Sequence, residues 1–266
     1  MRKIYTPFQP TLTQSGLNRF GLTLKENIPS GALNGLVYSY LQIKTEKQTP
    51  YPVMPDGTQA VYMSPQDAMI GGAQTEAKDI QLLQPGEYFG IWFYPGALRY
   101  FFDVNLSEIS GQFVDEKYFE CSHFTRLHSD IYRYSTFNER VNVCEKWLSS
   151  RYSQKPVTRF DKALSLIYQT KGSERINQLA AKVGWSSRHL NRQFLQHTGL
   201  STKTFSRIIR LQHVCRQLYI KLFGGQGIPV ELGYYDQPHL IREFGKFFKL
   251  SPGVFFSRFM SDFYNH

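Results

Sequence analysis

"INQLAAKVGWSSRHLNRQFLQHTGLS" occupies Ile176–Ser201. Ile176, Leu179, Ala180 and Val183 repeat at three- and four-residue steps, so they form one apolar face of a helix that Gly184 ends. Ser186 is then placed to cap a second helix beginning about Ser187, with the cap and Ser187 also within reach of a phosphate. In that helix Leu190 and Phe194 share the inward face. Arg188, Asn191 and Arg192 lie about one turn apart on the other side. A glycine turn between two short helices is the plan of a helix-turn-helix.

The plan returns in "IPVELGYYDQPHLIREFGKFFKLSP" (Ile228–Pro252), with Gly233 at the turn and Asp236 as the expected cap. "HLNRQF" (His189–Phe194) and "HLIREF" (His239–Phe244) have the form His-Leu-x-Arg-x-Phe. Gln237, His239 and Arg242 take the outward positions in the second copy. A recognition helix needs long polar side chains of this kind, because Arg pairs two-pronged with guanine and Asn or Gln with adenine. One such stretch is equally well an ordinary hairpin with a solvated basic face. Two in one basic half favour DNA.

Between the copies Phe205, Ile208, Ile209, Leu211, Cys215, Leu218 and Leu222 mark a long helix from about Lys203 to Leu222. Twenty residues span roughly 30 Å, close to one DNA turn of about 34 Å. One chain can then reach two half-motifs on one face of the duplex.

Charge follows this division. Residues 1–150 hold 13 Lys and Arg against 15 Asp and Glu, whereas residues 151–266 hold 18 against 6. The respective balances of −2 and +12 make up the total of +10, so one half gathers polyanions through counterion release.

The first half has a different grammar. "GLVYSYLQIKT" (Gly35–Thr45), "TQAVYMS" (Thr58–Ser64) and "EYFGIWFY" (Glu87–Tyr94) are β-branched and aromatic, with Pro and Gly at their ends. Nine of the 13 prolines precede residue 100, which opposes long helices there. The expectation is α+β: an antiparallel, barrel-like β domain over 1–134, a helix and linker over 135–157, and a double helix-turn-helix domain over 158–266. Within "STFNERVNVCEKWLSSRY" (Ser135–Tyr152), Thr136 and Glu139 have capping-box spacing. Its stripe of Phe137, Val141, Cys144 and Trp147–Leu148 packs on the β domain or, alternatively, meets a second copy. "PGALRYFF" opens a short helix near Pro95, and "SQKPV" (Ser153–Val157) is the expected linker.

Other chemistries fit poorly. Cys121, His123 and His128 have no familiar zinc-ligand spacing, and Asp56 and Asp103 read as turn formers. No phosphate-cradling loop, nucleophile elbow or zincin motif is present, so no enzyme activity, cofactor or metal is expected. Three widely spaced cysteines, no signal segment and no apolar run of about 18 residues point to a reducing, cytoplasmic setting without a membrane. The run Tyr88, Phe89, Trp92, Phe93 and Tyr94 reads as core, with a ligand pocket or a partner-docking surface as alternatives.

Residues 158–256 resemble the DNA-binding domain of the AraC/XylS family of bacterial transcription regulators. The likeness rests on "LAAKVGWSSRHLNRQF", "RIIRLQ" and "ELGYYDQPHLIREFGKFFKLSPGVF". It implies that Arg188, Asn191 and Arg192, together with Gln237, His239 and Arg242, face base edges of double-stranded promoter DNA. Through "YPVMPDGTQAVYM" (Tyr51–Met63) and "GIWFYPGALRYFF" (Gly90–Phe102), the first half resembles a sensor domain of some members. That implies an activator with a small-molecule effector, an RNA polymerase contact and a homodimer as further expectations. Control by a protein docking on the first half is the alternative. The chain departs from the family at Gly224, Gly225, Gly227 and Pro229, where helix formers are usual. Gly costs about 1 and Pro about 3 kcal/mol in a helix interior, so the second unit is expected to be shorter and less rigid.

Overall fold

The computed structural model describes residues 5–9, 17–18, 21–102, 104–115, 124–153, 156–223, 237–249 and 254. Among the described residues eight strands come first: β1 (Leu22–Asn27), β2 (Val37–Thr45), β3 (Thr49–Val53), β4 (Gln59–Met63), β5 (Ala68–Gly71), β6 (Lys78–Leu83), β7 (Gly86–Phe93) and β8 (Phe113–Asp115). Six form an antiparallel sheet in the order β1-β2-β7-β4-β5-β8, and β3 pairs with β6. The antiparallel β part is therefore as the sequence predicts.

Alternation along β7 divides the aromatic run between two faces. Phe89, Ile91 and Phe93 join Val61 and Met63 on one side, while Trp92 joins Leu41 and Ala60 on the other. Tyr94 is also buried, so most of the run is core. The first face is covered by α1 (Phe124–Tyr132) and α2 (Phe137–Arg151). Thr136 and Glu139 make the expected capping box at the start of α2. Phe137, Val141, Cys144 and Leu148 are buried against the sheet, and Trp147 packs half-buried beside them. That burial decides between the two readings of the stripe: it packs within the chain. Near Pro95 the short helix is a 3-10 turn, Leu98–Tyr100, because the segment must turn again at once to bury Phe101 and Phe102.

Among the described residues five helices follow: α3 (Arg159–Gln169), α4 (Ile176–Lys182), α5 (Ser187–Thr198), α6 (Thr202–Phe223) and α7 (Gln237–Phe248). Their core gathers Phe160, Leu164, Ile167, Leu179, Leu190, Phe194, Phe205, Ile208 and Phe244. Met54 and Ala73 from the β part join the same core. The two halves thus share part of one core, while Gln154 and Lys155 of the expected linker lie outside the described residues.

Polar contacts continue that junction. The Arg99 guanidinium pairs with Asp161 at 2.5 Å and lies 4.7 Å over the Phe160 ring. Gln212 on α6 donates to the Pro55 carbonyl at 2.9 Å and accepts from the Phe8 N–H at 2.6 Å. Tyr5 stacks on Tyr168 with ring centroids 4.8 Å apart and donates to the Asp56 carbonyl at 2.7 Å. Asp56 is a turn former, as expected: its carboxylate accepts from the Thr58 N–H and hydroxyl. Burial raises its pKa despite those bonds.

Candidate nucleic-acid interface

The first unit is built as its periodicity dictates. Gly184 takes φ +67°, a left-handed angle that lets α4 turn sharply into α5. Ser186 accepts from the His189 N–H at 3.2 Å and so caps α5, which starts at Ser187. Gly199, at φ +76°, ends it. Leu190 and Phe194 are wholly buried, and Phe194 touches both Phe160 and Phe205, at centroid distances of 5.0 and 5.3 Å. Each such buried side chain contributes roughly 1.5–3 kcal/mol, enough to fix which face of α5 looks outward.

On that outer face Ser187, Arg188 and Arg192 are exposed. Arg192 Nη2 lies 2.9 Å from His189 Nδ1, and the His189 ring rests 4.8 Å from Trp185. The imidazole thereby steadies a long side chain that would otherwise lose much rotamer freedom on binding. Arg159 donates to the Gly184 carbonyl at 3.3 Å, adding a cation beside the turn.

Asn191 sits differently from its expected outward place. It is half-buried, and its Oδ1 accepts the N–H of Thr202, the first residue of α6, at 3.1 Å. The four first N–H groups of a helix lack internal partners, and Asn191 supplies one of them from a neighbouring helix. Its side chain is held by the joining helix, leaving Arg188 and Arg192 as the outward pair one turn apart.

α6 runs for 22 residues, Thr202–Phe223, matching the expected strut. Phe205, Ile208, Ile209, Leu211, Cys215 and Leu218 are buried along it. In the second unit α7 begins at Gln237, with Pro238 in its first turn, where a missing N–H does no harm. Phe244, Phe247 and Phe248 are buried, whereas Ile241 and Arg242 are exposed. Gln237 and His239 belong to α7, but their side chains fall outside the described residues. So do Asp236, the Gly233 turn and the Gly224–Pro229 stretch.

Two features of the second unit carried no local signal. Glu243 is buried and pairs with Arg207 of α6, whose guanidinium lies 4.9 Å over the Phe247 ring. The partners are 36 residues apart, so no short-range pattern links them. The second is Ile241, an apolar side chain exposed beside Arg242 on α7.

Of the Cys121, His123 and His128 cluster, Cys121 and His123 lie outside the described residues. His128 Nε2 lies 2.5 Å from the Ser64 carbonyl. Among the described residues no group of His, Cys, Asp and Glu is disposed to hold a metal ion. No helix among them is long and apolar enough to cross a membrane.

Residues 179–258 match a helix-turn-helix domain family, and residues 25–115 match a domain family of unknown function, DUF6597. No curated protein matches the chain in sequence. Among solved structures, ToxT from Vibrio cholerae O395 is similar with a TM-score of 0.42 and 9% identity, over 90% of this chain and 98% of that one. A second ToxT structure from Vibrio cholerae gives 0.39 and 8% identity, over 87% and 97%. The sequence match spans the α4–α5 turn, the whole of α6 and α7, the same elements whose geometry presents Arg188, Arg192 and Arg242 outward. Over residues 179–258 the chain therefore carries a helix-turn-helix domain, the AraC-type module to which the sequence resemblance points.

Proposed function

We propose that this chain is a transcription regulator of the AraC/XylS family, an activator that reads promoter DNA with both units and responds to a small-molecule effector through its β part. The observation that carries the DNA reading is the exposure of Arg188 and Arg192, one turn apart on a helix whose opposite face is wholly buried. In that reading Arg188 and Arg192 of α5 contact base edges, Ser186 and Ser187 lie at the phosphate backbone, and α7 contributes Gln237, His239 and Arg242. Residues 1–134 form the responsive part, 135–157 the connection and 158–266 the reading part.

Support for an effector comes from the sheet. The Tyr94 hydroxyl is buried and has no hydrogen-bond partner among the described residues. Its ring lies edge-on to Tyr38, which also meets Trp92, at centroid distances of 5.5 Å. An unpaired buried hydroxyl costs about 1–3 kcal/mol, which a polar ligand group would recover.

The test is fluorescence anisotropy of the full chain on its own promoter fragment against a scrambled duplex at moderate salt. A ratio of about a thousandfold is expected for a specific site. Equal affinity for both duplexes would overturn the reading. Promoter-reporter output with and without the gene, and in the presence of RNA polymerase in vitro, gives the sign of regulation.

A further inference from the structure

We infer that a single clip in the β part, formed by residues 72–77 and 105–112, holds the far ends of both reading helices and thereby sets their separation. The inference rests on the reading that α5 and α7 both contact DNA. The two segments are joined to each other: the Gly72 N–H donates to the Gln112 carbonyl and the Gly111 N–H to the Ala73 carbonyl, both at 2.9 Å. Gly72 faces the Ile109 carbonyl so closely that no side chain fits between them.

Each segment carries the C-terminal end of one reading helix. Gly199, the residue that ends α5, lies against Leu106, and a Cβ there would come within 2.6 Å of the Leu106 carbonyl oxygen. The last residue of α5, Thr198, accepts at 3.4 Å from Gln59, whose Oε1 is held by the Gly96 N–H at 3.1 Å. At the end of α7 the Phe247 carbonyl accepts from the Ala77 N–H at 2.6 Å, and Lys249 pairs with Glu76 at 2.8 Å. Ala73 is buried in the helical core and Ala77 packs against it.

An α-helix is stiff over three turns, so anchoring the C-terminal ends constrains where the N-terminal ends, which meet the bases, can lie. A change in the sheet that moves 72–77 relative to 105–112 then alters the spacing of the half-motifs the chain prefers. The β part would act on DNA reading in this way without touching DNA.

The test uses the full chain with spin labels at Gln196→Cys and Lys246→Cys, both exposed, in a Cys121→Ser background; Cys144 and Cys215 are buried. Electron–electron distance measurement is expected to give one narrow distribution. Ala77→Pro, which removes the donor to Phe247, and Glu76→Lys should broaden it, and the swap Glu76→Lys with Lys249→Glu should narrow it again. On promoter fragments, one base pair inserted between the half-motifs should cost the parent chain about tenfold in affinity and the clip variants about threefold or less. Should Ala77→Pro fail to fold, the surface variant Glu76→Lys and its swap decide. Unchanged distances and an unchanged spacing penalty in the variants would overturn the clip. A parent chain that binds no promoter fragment counts against the DNA reading alone, and the distance measurement still decides the clip.

Discussion

Asn191 and Thr202 are joined by a 3.1 Å hydrogen bond from the Thr202 N–H to Asn191 Oδ1, tying α5 to the start of α6, the strut that leads to α7. Because this amide caps α6, Asn191→Ala is expected to lower stability by about 1 kcal/mol, the usual cost of a lost helix cap. Its effect on DNA should be a similar loss on every sequence. Urea unfolding together with binding to a panel of single-base promoter variants checks this. A relaxed preference at one base pair only would instead make Asn191 a reader.

Arg188 and Arg192 should behave in the opposite way. Arg192→Ala is expected to cost about 1–3 kcal/mol on the natural promoter and to relax preference at one position, with stability unchanged. Arg242→Ala should cost less, given the Gly- and Pro-rich entry to the second unit. Equal losses, with equal relaxation, would remove the proposed difference between the units.

His197 supplies a pH dependence. Its ring packs 4.9 Å from Phe160, and burial first, then the Arg99 charge, lowers its pKa to about 4. A lowered folded-state pKa means that the unfolded chain takes up the proton first, so stability falls as pH drops from about 6.5 and the loss is complete below about 4. His197→Gln should remove that component, seen as a shallower decline of Tm between pH 6.5 and 4. The same decline in both proteins would place its cause elsewhere.

Asp161 acts in two places at once. It closes the capping box of α3 with Thr158 and pairs with Arg99 across the junction of the two halves. Burial alone would raise its pKa, but the Thr158 hydroxyl bond and the Arg99 charge hold it below the ordinary carboxylate value. The stability this contributes is present above pH of about 4 and is lost as pH falls through the lowered pKa. Arg99→Ala leaves a largely buried carboxylate without its cation, for which about 3 kcal/mol of destabilisation is expected. Asp161→Ala should cost more, since the cap is lost as well, and denaturant unfolding ranks the two.

Local pattern determined the first helix-turn-helix unit of this protein. Gly184, Ser186 and the Leu190–Phe194 pair lie within eleven residues, so turn, cap and buried face were written in the amino-acid sequence before any packing was known. The strands and the capping box of α2 were legible for the same reason: they depend on alternation and on contacts three residues apart. Only the tertiary structure decided which polar residues point to solvent and which are consumed by long-range bonds. Asn191 and Arg192 are neighbours in sequence, yet one is held by Thr202 and the other is exposed. Glu243 finds Arg207, Gln212 finds Phe8 and Pro55, and Asp161 finds Arg99, each across at least 36 residues. Such pairings leave no periodic trace, because what selects them is the chain's return to the same place in space.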